Sequence, residues 1–218
     1  MPVKWLLYWQ PSTGSTVSSQ TLVDVMKSIE SINGVRTGRW QVTASNHRPI
    51  QRDQSMGLPQ DCARELLGLT FSEVPSKHYF ILRGEHMVVE AHANMQNIME
   101  KLQLYRNRLN IFFEGFQYQL GDFQLKAGRA VLAHSENLRG IVLEVEYVPV
   151  SSLEQTRLLL QEFVEMWQEV VTAQNMAGRF TPLEPNYSDY NLPDQYSWQH
   201  TALQYVNLMV YFLHAQRN

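Results

Sequence analysis

One cysteine, Cys62, stands among 218 residues. A lone thiol closes no internal disulfide, which fits a reducing compartment such as cytosol or nucleus. Basic excess is also missing: 18 Lys and Arg stand against 21 Asp and Glu, a formal charge of -3. Non-specific binding to nucleic acid or to an anionic membrane surface therefore has no electrostatic basis. No stretch approaches the roughly 18 apolar residues of a membrane span. The short apolar opening Trp5–Trp9 ends at Gln10-Pro11, without the h-region and small-residue cleavage site of a signal peptide. A soluble intracellular protein is expected. Nucleophile-elbow, Rossmann and P-loop signatures are absent, so those reaction classes have no foothold.

What is present is apolar: 44% of the chain, with 11% aromatic. A chain of this length hides roughly 70% of its unfolded surface, enough for a large core. The strongest pattern lies between Ile111 and Val148. Phe116, Tyr118 and Leu120 alternate with polar residues, Gly121-Asp122 suits a two-residue type II′ turn, and Phe123, Leu125 and Ala127 alternate on the return. That turn sets Leu120 against Phe123, Tyr118 against Leu125 and Phe116 against Ala127, all on one face. A slip of one residue would scatter them. After a loop around Ser135–Gly140, Ile141, Leu143, Val145 and Tyr147 form a third run, with Glu144 and Glu146 on the opposite face.

The rest follows from period and punctuation. Val3–Trp9 is a strand apolar on both faces, hence covered twice. Leu22, Val25, Met26, Ile29 and Ile32 mark a helix from about Ser18, stopped by Asn33-Gly34. Val35–Ser45 reads as a strand, and Asn46–Glu65, with two prolines and no period, as a long surface loop. Lys77–Leu82 and His86–Ala91 read as a hairpin about Gly84-Glu85, with Leu82 facing Met87 and Phe80 facing Val89. A helix from about Asn94 is expected to bury Met95, Ile98, Met99, Leu102 and Tyr105. Ser151 and Glu154 form a capping-box pattern ahead of a stripe of Leu160, Phe163, Val164, Trp167 and Val171.

The order predicts an α+β fold: an antiparallel sheet of about eight strands, closed or nearly closed into a barrel, with flanking helices. Residues 1–176 form the barrel domain, 177–197 a proline-containing linker, and 198–218 a C-terminal helix packed on the domain or on a partner.

Glu144-Val145-Glu146 is the sharpest chemical candidate. Alternate strand residues project to one face about 6.5–7 Å apart, within reach of a shared divalent cation. Tunnel-type metal-dependent phosphohydrolases use such a pair, together with a second acidic pair and many bases. Here no second E-x-E exists, and Lys126 and Arg129 are the basic residues on the neighbouring strand. A solvated or salt-bridged sheet face is the plainer expectation, and no metal or other cofactor is expected. His86, Glu90 and His92 share strand parity, but two adjacent ligands do not make a metal site. Arg106-Asn107-Arg108 fits a helix end, where it complements the dipole.

Surplus apolar surface is the other hint. The helix from Trp198 is interrupted only by Gln204 and Asn207 between Ala202 and Leu213. Burial in its own domain and burial against another protein fit equally. Tyr8, Phe112, Trp198 and Tyr205 are the candidate interface aromatics.

The block from Phe113 to Gly128, then Arg139-Gly140, then Leu143-Glu-Val-Glu-Tyr-Val-Pro149, resembles the family of Mediator complex subunit 20. The helix Leu158–Trp167 is similar to that family too, and the opening Met1–Pro11 looks like its plant branch. The resemblance implies a non-enzymatic, nuclear coactivator subunit. It implies pairing with Mediator subunit 18, tethering to the head module through subunit 8, and contact with TATA-binding protein or RNA polymerase II. It also implies a barrel like that of RNA triphosphatases, which accounts for a lone E-x-E.

Overall fold

The computed structural model describes residues 1–50, 65–135 and 137–214. Thirteen elements follow one another among them: β1 Val3–Pro11, α1 Ser19–Ser31, β2 Val35–Pro49, β3 Leu66–Phe71, β4 Lys77–Leu82, β5 Met87–His92 and α2 Met95–Leu102. Then come β6 Tyr105–Leu120, β7 Phe123–Leu132, β8 Leu138–Tyr147, α3 Leu153–Ala173, β9 Gly178–Pro182 and α4 Trp198–His214.

The meander has the register its alternation dictates. Leu120 pairs with Phe123, Tyr118 with Leu125 and Phe116 with Ala127. Gly121 turns at φ +56 while Asp122 stays out of the positive region, the sign pattern of a II′ turn. The β4–β5 hairpin likewise pairs Leu82 with Met87 and Phe80 with Val89, around a 3₁₀ turn at Arg83–Glu85.

All strands join one antiparallel sheet, in the order β5-β4-β3-β2-β6-β7-β8-β1-β9. Its two faces bury two cores. On the convex face, α1 and α3 cover Val3, Trp5, Leu7, Tyr118, Leu125, Leu143 and Val145 with Val25, Ile29, Leu160, Phe163 and Trp167. On the concave face, α4 packs Leu203, Tyr205, Val206, Leu208, Met209 and Phe212 against Leu6, Val42, Leu69, Ile81, Phe113 and Val142. Strand β1 serves both cores, as its two apolar faces require. At Gly140 a Cβ would lie 2.2 Å from the Phe212 ring, so α4 seats there only over glycine.

The sheet does not close, contrary to the expected barrel. It has nine strands among the described residues, and β5 and β9 are its two free ends. The reason is what fills it. An eight-stranded barrel has room inside for side chains only, whereas a helix is about 10–12 Å across. Closure round a central helix takes about eleven strands. Nine strands wrap α4 and stop short.

Other departures are local. Asn46–Pro49 extends β2 rather than opening a loop, and 51–64 lie outside the described residues. The stretch from Ala177 to Ser197, expected as a linker, contains β9, which pairs with β1 from Leu7 to Pro11. Helix α2 buries none of its residues: Met95, Ile98 and Leu102 are 37%, 46% and 53% exposed. It lies beside the start of β6, over neither core. The cap of α3 is Ser152, one residue later than expected; its Oγ accepts the Gln155 N–H, and Asp194 accepts the Glu154 N–H. Arg106–Arg108 belong to β6, not to a helix end.

Candidate functional site

Two antiparallel pairings bring charges together on the concave face. Lys4 of β1 stands opposite Glu146 of β8, and Lys126 of β7 stands opposite Glu144. The Lys126 ammonium donates to Glu144 Oε1 at 2.9 Å and to both oxygens of Glu73 at 2.8 Å. The Lys4 ammonium lies 3.3 Å from Glu144 Oε1, 3.1 Å from Glu146 Oε2 and 4.0 Å from Glu73 Oε2. The Tyr205 hydroxyl, from α4, donates to Glu144 Oε2 at 2.7 Å. Lys4, Lys126, Glu144 and Glu146 are buried, and Glu73 reaches solvent with a third of its side chain.

Burial would push the Glu144 carboxyl up, but Lys126 and Lys4, with the Tyr205 hydrogen bond, bring it down to about 2. Burial likewise opposes the Lys4 charge, yet Glu144, Glu146 and Glu73 hold its pKa above the ordinary lysine value. Burial and the neighbouring Glu144 charge raise the Glu146 carboxyl against the pull of Lys4. Burial and Glu144 push the Tyr205 hydroxyl far up, which keeps it a donor.

This arrangement neutralises charge and leaves little room for chemistry. Both oxygens of Glu144 have partners within the chain, and its pair with Glu146 is spanned by Lys4 rather than open to a cation. Tyr205 and Trp198 occupy the space over it; Lys4 Nζ sits 4.6 Å above the Trp198 ring. Among the described residues no group of three or more His, Cys, Asp or Glu could hold a metal ion. The E-x-E pair is a salt-bridged sheet face, buried where solvation was the alternative.

Gln204 does a related job for the backbone. Strand β9 covers β1 only from Leu7 onward, so the outer edge at Lys4 and Leu6 needs another partner. Gln204 Oε1 accepts the Leu6 N–H at 2.7 Å, and its Nε2 donates to the Lys4 carbonyl at 2.9 Å. A buried unpaired amide would otherwise cost about 1–3 kcal/mol.

The four aromatic candidates divide. Tyr205 is fully buried, packed on Phe71, Phe113 and Trp40. Tyr8 is buried against Tyr211, with ring centroids 4.4 Å apart. Phe112, on the convex face, and Trp198, at the start of α4, are half-buried. His86, Glu90 and His92 are exposed: Glu90 pairs with Lys77, and His92 Nδ1 accepts the Asn94 N–H. Sequence reasoning missed Lys4 and Glu73. The signal for Lys4 was available, since it is the one charged residue in a strand apolar on both faces.

Known proteins share this chain's sequence over most of its length. Residues 1–210 match the family profile described as TATA-binding related factor of subunit 20 of Mediator complex. The chain is 46% identical over 209 residues to Mediator of RNA polymerase II transcription subunit 20b of Arabidopsis thaliana, covering 96% of this chain and 94% of that protein. It is 26% identical over 192 residues to the subunit 20 of Gallus gallus, covering 87% and 84%. A chain in the structure of the Schizosaccharomyces pombe Mediator head module matches with a TM-score of 0.43 at 12% identity, covering 84% of this chain and 100% of that one.

Proposed function

The chain belongs to the family of subunit 20 of the Mediator complex, and from that premise we propose that it works in the head module paired with Mediator subunit 18. Its role is non-catalytic: a coactivator subunit that acts through protein contact. Tethering through subunit 8 and contact with TATA-binding protein or RNA polymerase II follow from the same reading, and its place of work is the nucleus. The observation that supports this best is the filled concave face. Glu144 is already bound by Lys126, Lys4 and Tyr205, so the tunnel-phosphohydrolase alternative has no open acidic pair.

Since α4 is buried within the chain, contact falls to the outer surface. Phe112 is the candidate left there; Tyr8, Tyr205 and Trp198 serve the interior. Co-expressed with subunit 18 from the same source, the chain should elute as a 1:1 complex by size-exclusion chromatography with light scattering. Phe112→Ser should weaken that complex while far-UV circular dichroism stays unchanged. Two wild-type chains that elute separately would reject the pairing.

A further inference from the structure

A β-bulge in β2 puts two arginines on one side of the sheet. Residues three apart on a regular strand point to opposite faces. Here the pairing with β6 slips by one residue at Thr37, so Arg36 stands opposite Tyr118 and Arg39 opposite Phe116, on the same face. Bulges re-aim side chains in this way. The Thr37 hydroxyl ties down the irregular stretch by donating to the Gln117 carbonyl at 3.3 Å. Both guanidinium groups thereby reach one aromatic ring: Arg36 Cζ lies 3.2 Å from the Phe116 centroid and Arg39 Cζ 5.5 Å. Phe116 is half-buried at the rim of the core under α1 and α3, whereas both arginines are exposed.

These two charges lack an acidic partner. Among the described residues, the arginines that pair with a carboxylate are Arg48, Arg129 and Arg157. Arg129 is the contrast, since it lies on the same side of the sheet and donates from Nε and Nη2 to Glu114 Oε1 at 3.0 and 2.7 Å. Arg36 and Arg39 share a ring instead. Two like charges held together repel, and a carboxylate between them removes that repulsion. Stacking fixes the guanidinium planes and leaves their N–H forks free, the arrangement that receives a carboxylate bidentately.

We propose that Arg36 and Arg39, stacked on Phe116, bind an acidic segment of a partner protein through its carboxylates. A peptide fits better than nucleic acid, because two cations on a chain of formal charge -3 make no extended basic track for a phosphate backbone. The Glu114–Arg129 pair separates this site from Phe112, and the proposal does not rest on the pairing with subunit 18.

The test titrates isotope-labelled full-length chain with an end-capped peptide of alternating glutamate and alanine, followed by NMR. Two charge-assisted contacts correspond to a dissociation constant on the order of 0.1–1 mM. Shifts are expected at the amides of residues 35–41 and 114–118 and at the arginine Nε–H signals. Affinity should fall several-fold between about 0.1 M and 1 M salt as the Debye length shortens. Arg36→Gln and Arg39→Gln should each weaken binding about tenfold with far-UV circular dichroism unchanged. Arg39→Lys keeps the charge but loses the fork, so its affinity should fall between. The same peptide with glutamine in place of glutamate should not bind. The site is overturned by no shifts with the acidic peptide, by shifts confined to other segments, or by unchanged affinity in both glutamine variants. Tighter binding of a DNA oligonucleotide of equal charge at these residues, or shifts there that follow chain concentration alone, would overturn it too.

Discussion

Lys126→Met should destabilise the chain by about 3–5 kcal/mol, the range for removing one partner of a buried ion pair. The variant leaves Glu144 in the interior with Lys4 as its only cation. Replacing the set together should recover much of that loss, because packed apolar side chains often match or exceed a buried ion pair. Lys126→Met with Glu144→Leu and Tyr205→Phe removes cation, anion and donor at once, and leaves Lys4 with Glu146 and Glu73. The network also sets a pH dependence. The folded-state pKa of Glu144 is about 2, against 4.5 for the free side chain. Its contribution to stability is complete above pH 4.5 and is lost as the pH falls toward 2. Glu146 works in the opposite sense: its pKa is raised, so the fold favours its protonated form, and that contribution is complete below pH 4.5 and is lost as the pH rises above it. Urea midpoints at pH 7 and pH 3 should differ more for wild type than for Glu144→Gln. Equal differences would show that Glu144 is not ionised against the lysines.

The second large effect is loss of α4. A chain ending at Ser197 should not fold cooperatively. Leu203, Tyr205, Val206, Leu208, Met209 and Phe212 are each at most 5% exposed. Burial of a large apolar side chain is worth about 1.5–3 kcal/mol, so this helix supplies on the order of 10 kcal/mol, comparable with the whole stability of a domain. The truncated chain also strands Leu6, Phe113 and Val142 in water and unpairs the Leu6 amide from Gln204. Loss of near-UV circular dichroism, broadened melting and dye binding are the expected readouts. A truncated chain that melts sharply near the wild-type temperature would place α4 outside the core.

These two effects show where sequence patterns stop. The meander was legible because a period of two and a Gly-Asp turn fix its register locally. Strand β1 and the stripes of α1 and α3 were legible for the same reason. Leu66–Phe71 was missed because its apolar run has no alternation and Gly68 interrupts it. Gly178–Pro182 was missed because it is short and closes on proline. Closure of the sheet depends on how many strands surround how thick a filling, and neither quantity is local. The apolar circumference of α4 fits a core and an interface equally; only the concavity that β1 to β5 build around it decides. Helix α2 shows the converse, since an apolar stripe does not ensure burial when no core lies beneath it. The charge network came into view only once register set Lys4 against Glu146 and Lys126 against Glu144.

The central claim is that this chain fills its own interior with α4 and meets its partners from outside. Amide hydrogen exchange along residues 201–210, in the free chain and in the co-expressed complex with subunit 18, tests it most directly. The expected result is exchange only through global unfolding in both states, with any added protection in the complex appearing on other segments. Rapid exchange of those amides in the free chain, slowed only when the partner is present, would contradict it.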